Sequence, residues 1–122
     1  MNEWKEDMEQ EGKYIYCIIG TKQERNFGPI GIGGRGDEVL TIGYDELSMV
    51  ISSHPMTKFI VNRENMLAHE KVIEGVMKEF DSVLPVRFGT IASSADEIRN
   101  LLDRRYGEFK NALRDIDRKS VV

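Results

Sequence analysis

Gly31-Ile32-Gly33-Gly34-Arg35-Gly36 has the spacing G-x-G-x-x-G, in which glycines let a backbone approach a pyrophosphate at the start of a helix. That chemistry needs the helix. Here the loop runs into Asp37-Glu38-Val39-Leu40-Thr41-Ile42, a strand-like stretch opened by two acids that repel phosphate, so the match is formal. His69-Glu70 begins the zinc-protease pattern H-E-x-x-H, but Ile73 stands where the second histidine belongs, and His54 is the only other histidine. His69 therefore reads as a packed, hydrogen-bonded residue on the apolar side of a helix. Cys17 lies inside an apolar stretch and reads as a small hydrophobe, not a nucleophile. Glu70 and Glu74 stand one helical turn apart, a spacing that solvated carboxylates also have. Arg87 in Pro85-Val86-Arg87-Phe88-Gly89 is flanked by core-type residues and must find an acid or the surface. These residues supply no catalytic set, no metal site and no cofactor site.

Length and composition set the frame around them. At 122 residues, 40% hydrophobic and 31% charged, the chain suits one globular domain. Its longest wholly apolar runs, such as Cys17-Ile18-Ile19, fall far short of the roughly 20 residues that span a bilayer, so no membrane is expected. A single cysteine and an acidic N-terminus without an apolar segment point to a reducing, cytoplasmic setting. The net charge of -4 lies mostly in residues 1–13, where five acids face two lysines. Arg104, Arg105, Lys110, Arg114, Arg118 and Lys119 are interrupted by acids, so nucleic acid finds no basic footprint.

Residues 1–12 lack periodic apolar positions and read as a mobile acidic tail, leaving 13–122 as a single domain. Residues 14–19 are apolar on both alternating faces and predict a central strand, covered on one side and partly shielded on the other. Residues 21–37 form a glycine-dense connection. Strands are expected over 39–42 and 47–52, joined by turn chemistry at Gly43-Tyr44-Asp45-Glu46. From Glu64 to Phe80, Met66, His69, Ile73, Val76, Met77 and Phe80 recur at helical steps, with Asn62 placed to cap. Residues 84–91 predict a strand with Leu84, Val86 and Phe88 on one face. Ser94 and Glu97 form a capping box that opens a second helix running to Ile116, weakened at Gly107, and Ser120-Val121-Val122 could open one more strand. Two helices with single apolar faces can share one face of a sheet, which predicts an α/β (α+β), ferredoxin-like two-layer sandwich with a mainly antiparallel sheet. A missing last strand would leave one sheet edge open to pairing with a second copy.

Taken together, the strand at 14–19, Gly31-Ile32-Gly33-Gly34, residues 44–52, His69-Glu70-Lys71-Val72-Ile73-Glu74 and Leu84-Pro85-Val86-Arg87-Phe88-Gly89-Thr90 resemble the N-terminal part of the gas vesicle GvpF/GvpL family. The resemblance covers about residues 13–116. It implies a ferredoxin-like domain and a non-enzymatic accessory or minor structural role in building gas vesicles. The implied partners are the shell protein GvpA and other vesicle proteins, and the implied location is the cytoplasm and the vesicle.

The same resemblance marks His69, Glu70, Glu74, Arg87 and Thr90, with Gly31, Gly33 and Gly34 of the loop, as candidates for structural or interaction roles. One expectation is that Arg87 pairs with Glu70 or Glu74 and pins helix to sheet. The alternative class is a small-ligand or nucleotide-sensing domain that uses the Gly28–Gly36 loop. A third, an enzyme using Cys17 or His69, depends on those side chains being accessible.

Overall fold

Every residue from Tyr14 to Ile19 is buried, at 2% exposure or less. A strand buried along both of its faces needs a cover on each, and that requirement organises the domain. The computed structural model describes residues 10–56 and 60–121, with side chains to Ile116. Strand β1 (Glu11–Ile19) lies inside an antiparallel sheet with β2 (Leu40–Tyr44), β3 (Leu47–Pro55) and β4 (Val83–Pro85), in the order β4-β1-β3-β2. This is the ferredoxin-like order. A short β5 (Ile91–Ala92) pairs with β1 at Lys13 and Tyr14. The β2-β3 hairpin closes through Asp45–Glu46, with Asp45 at φ 54°, a conformation aspartate tolerates.

A bulge between Ile15 and Cys17 sets Tyr14, Tyr16, Cys17 and Ile19 on one face, and Ile15 and Ile18 on the other. The first face carries helix α1 (Arg63–Met77) through Val72 and Val76, together with Ile32 and Phe27 from the glycine-dense connection and Val39 just before β2. That loop stands where a ferredoxin-like chain has its first crossover helix. Helices α2 (Ala95–Arg104) and α3 (Tyr106–Val121) cover the second face with Ile98, Leu102, Phe109 and Leu113.

The expected class and antiparallel sheet are present, but the expected helices do not share a face. One helix and one loop cover the tyrosine side, and the C-terminal helices cover the isoleucine side. The reason is the two-sided apolarity of β1, which a two-layer sandwich would have left wet on one side.

Other expectations shift for local reasons. The second helix divides at Arg105 (φ -114°, ψ 25°), just before the expected weak point at Gly107, and the chain stays helical through Val121, so the further strand that Ser120-Val121 could have opened does not begin there. Ser94 caps α2 by accepting from the Glu97 N–H at 3.1 Å, while the Glu97 carboxylate accepts from Ser93. The buried side of α1 is Asn65, His69, Val72 and Val76, so Met66 (47%) and Met77 (50%) face outward instead of filling core. Glu11 and Gly12 belong to β1, and residues 1–9 of the expected tail lie outside the described residues, as does Phe59. Finally, the expected 84–91 strand is interrupted. Val86 to Thr90 loop out opposite Ile15 and Tyr16, with ladder bonds from Val86 N–H to the Tyr16 carbonyl and from Ile15 N–H to the Thr90 carbonyl on either side. Gly89 takes φ 94° there, which sends Phe88 to the α1 side while Leu84 and Val86 stay on the α3 side.

Candidate functional site

The interrupted strand, the glycine loop and α1 meet over two tyrosines of β1. Tyr14 and Tyr16 stand on one face with rings edge to face, centroids 4.9 Å apart, and both are fully buried. Each hydroxyl ties down a loop. The Tyr14 oxygen accepts the Gly89 N–H at 3.0 Å and lies 2.8 Å from His69 Nδ1. The Tyr16 oxygen accepts the Ile32 N–H at 2.9 Å and pairs with the Ser52 hydroxyl at 2.7 Å. On α1, His69 Nε2 lies 3.2 Å from the Val86 carbonyl oxygen, and Asn65 accepts the Gly33 N–H at 3.1 Å while donating to the Ile60 carbonyl at 2.7 Å.

The electrostatics follow from burial. The Tyr14 phenol is pushed up to about 12, and Tyr16 also rises, because neither anion could be hydrated. Burial likewise favours neutral His69, drawing its pKa below the usual histidine value. The Cys17 thiol is pushed up to about 12 by the same cause. Cys17 has no exposure and His69 has 5%, so neither is within reach of a substrate. Among the described residues, no three His, Cys, Asp or Glu side chains gather as metal ligands.

The sequence candidates therefore separate into two groups. His69, Gly31 and Gly33 belong to the buried network; Gly34 lies beside it at φ 71°. Gly31 is a close approach, since a Cβ there would meet Ser52 Oγ at 2.9 Å and the Asp37 carbonyl at 3.0 Å. Glu70, Glu74 and Arg87 are exposed. Arg87 takes part in no ion pair among the described residues, so the expected clasp to Glu70 or Glu74 does not form. The helix is pinned by neutral hydrogen bonds through His69 and Asn65 instead, which need no buried charge.

Nor is the glycine loop poised for phosphate. The N–H groups of Gly28, Gly31, Ile32 and Gly33 donate within the protein, to Asn26, Asp37, Tyr16 and Asn65. Arg35 is held by Glu11 at 2.7 Å and Asp37 at 2.8 Å, and its hydrogen bond lowers the Glu11 carboxyl. Sequence reasoning missed Asn65, Tyr14, Tyr16 and Ser52 as network members. A usable signal was there: Asn65 precedes His69 by four residues, on the same helix face.

A family model described as gas vesicle synthesis protein GvpL/GvpF matches residues 12–120. The chain belongs to this family. It is 29% identical over 109 residues to gas vesicle protein F1 of Halobacterium salinarum, covering 88% of this chain and 50% of that one. It is 33% identical over 70 residues to gas vesicle protein F of Dolichospermum flosaquae, covering 57% and 29%. The crystal structure of GvpF from an Anabaena species superposes at a TM-score of 0.74 with 23% identity, over 87% of this chain and 43% of that one. GvpF from Microcystis aeruginosa gives 0.69 with 26% identity, over 82% and 41%. The chain thus spans half or less of each relative, and the family ties it to gas vesicles. Among the described residues, no helix is long and apolar enough to cross a membrane.

Outside the buried network, the GvpL/GvpF domain exposes apolar side chains where α1 begins. Ile60 (59%), Val61 (71%), Met66 (47%) and Leu67 (45%) lie there, and Val61, Met66 and Leu67 share a shallow depression with Asn62, Arg63 and Glu70.

Proposed function

We propose that this chain is a non-enzymatic assembly module of gas vesicles that docks on the shell protein GvpA and on other vesicle proteins. The observation that carries the reading is the apolar ground of Val61, Met66 and Leu67 in a member of this family. Large side chains left half exposed at one helix end suit a partner that buries them. Glu70 and Glu74 follow on the outer side of the same helix, and Arg87 faces solvent from the neighbouring loop, so these three add polar selectivity at the rim. His69, Gly31, Gly33 and Gly34 act at one remove, by holding that helix and the two loops on the sheet.

The small-ligand alternative draws less support, because the amides and the arginine it needs are engaged internally. Pairing of two copies through a sheet edge finds little ladder to use. The edge strand β2 is bridged by Asn26, with bonds at Phe27 and Thr41, and the β4-β5 side offers three and two residues with a proline among them. Co-purification of the folded domain with soluble GvpA tests the main reading. Capture of GvpA is the expected result; the absence of detectable association at micromolar concentrations overturns it.

A further inference from the structure

The backbone turns between α2 and α3, but the apolar pattern of the sequence does not. Ile98, Leu102, Tyr106, Phe109 and Leu113 follow one another at three- and four-residue steps, the spacing of one unbroken helix, straight through the elbow. That elbow is a single residue. Arg105 N–H donates to the Leu101 carbonyl at 3.1 Å, and the Arg105 carbonyl accepts the Phe109 N–H at 2.9 Å, so the helical ladder reaches Arg105 from both sides. Neither a proline nor a glycine at positive φ imposes the turn there. Moving Arg105 from φ -114° and ψ 25° to helical values joins α2 and α3 into one rod.

The bend is held from outside by the tip of the β2-β3 hairpin. On the α2 side the Tyr44 hydroxyl donates to Asp103 at 2.7 Å; on the α3 side the Glu46 N–H donates to the Tyr106 hydroxyl at 3.1 Å and Lys110 pairs with the Glu46 carboxylate at 2.9 Å. All three contacts are exposed, and exposed pairs hold weakly. Inside the bend the packing is open. A cavity of about 400 Å³ lies between the elbow and β4, lined by Ile15, Met49, Leu84, Leu101 and Phe109 among others.

Straightened, residues 95–121 span about 40 Å, whereas β1 and β3, at nine residues each, span about 30 Å and the four strands side by side about 15–20 Å. The rod is longer than the sheet in either direction. With α2 fixed to its own sheet by Ile98 and Leu102, Phe109 and Leu113 are carried off it, and the surface already shaped to receive them is the isoleucine face of a second copy. We propose that this domain pairs with a second copy by exchanging α3 through a straightened elbow at Arg105. The same side chains then meet the same surface in both forms, so monomer and pair differ mainly at the elbow and where the two rods touch. A hinge of one residue favours exchange over folding back. The pairing uses no sheet edge, and α1 with its apolar ground stays free on the opposite face.

The wild-type chain, refolded from urea at about 1 mM and sized by light scattering, should give a dimer whose fraction falls on refolding at about 10 µM. Monomer alone at both concentrations overturns the proposal. Who holds whom is read with Glu46→Cys and Lys110→Cys in one chain, bridged by a short bismaleimide while buried Cys17 stays unlabelled. In the isolated dimer the bridges should join two chains and run as a covalent dimer on a denaturing gel; bridges within single chains overturn the exchange. Two glycines inserted after Arg105 interrupt the rod and lengthen the hinge, so the dimer fraction should fall about tenfold. A dimer that persists undiminished in that variant lies elsewhere on the domain and overturns the proposal.

Discussion

Removing one hydroxyl should loosen the cover of the tyrosine face. Tyr16→Phe takes away the acceptor of the Ile32 N–H and the partner of the Ser52 hydroxyl, and all three residues are fully buried. A buried polar group left without a partner costs about 1–3 kcal/mol, and two are orphaned here, so about 2–6 kcal/mol is expected. For a domain of this size, that lowers the melting temperature by about 10–20 °C. Urea unfolding followed by circular dichroism measures the loss, and amide exchange at Ile32 localises it. Adding Ser52→Ala removes one of the two orphans, so the double variant should be less destabilised than the sum of the singles by about 1 kcal/mol. A cost below about 0.5 kcal/mol with Ile32 still protected would refute the view that Tyr16 bolts the glycine loop to the sheet.

Gly31→Ala should destabilise by about 1–3 kcal/mol in the same assay, because the new methyl meets Ser52 and the backbone of Asp37 within 3.0 Å. Ser94→Ala should cost about 1 kcal/mol by uncapping α2, read as a fall in the urea midpoint. Cys17, buried and with its thiol pushed up to about 12, should react with a thiol reagent only as fast as the domain unfolds, which labelling kinetics against unfolding rate will show.

Much of the frame was legible where local rules act alone. Asn62 and Ser94 cap the helices they were expected to cap, and Asp45–Glu46 closes the expected hairpin, because those choices depend on a few neighbouring residues. The unbroken apolar run from Tyr14 to Ile19 already implied cover on both faces; treating one face as merely shielded led to the two-layer expectation. Periodicity placed α1 but misjudged its rotation. Met66 and Asn65 compete for the inward position, and the hydrogen bonds that draw Asn65 in come from Gly33 and Ile60, which no helical spacing reveals. The same holds for Phe88, whose side of the sheet is decided by one glycine at positive φ. Arg87 looked like a residue in need of an acid because its neighbours are core types, yet the looped-out strand gives it solvent instead.

The docking claim is tested most directly by a photo-crosslinking residue placed at Leu67, on the exposed apolar ground of α1, and in a second variant at Arg114 on α3. With GvpA present, crosslinks from position 67 and few from position 114 are expected. Crosslinks from position 114 with none from position 67 would place the partner on another side of the domain and contradict the account.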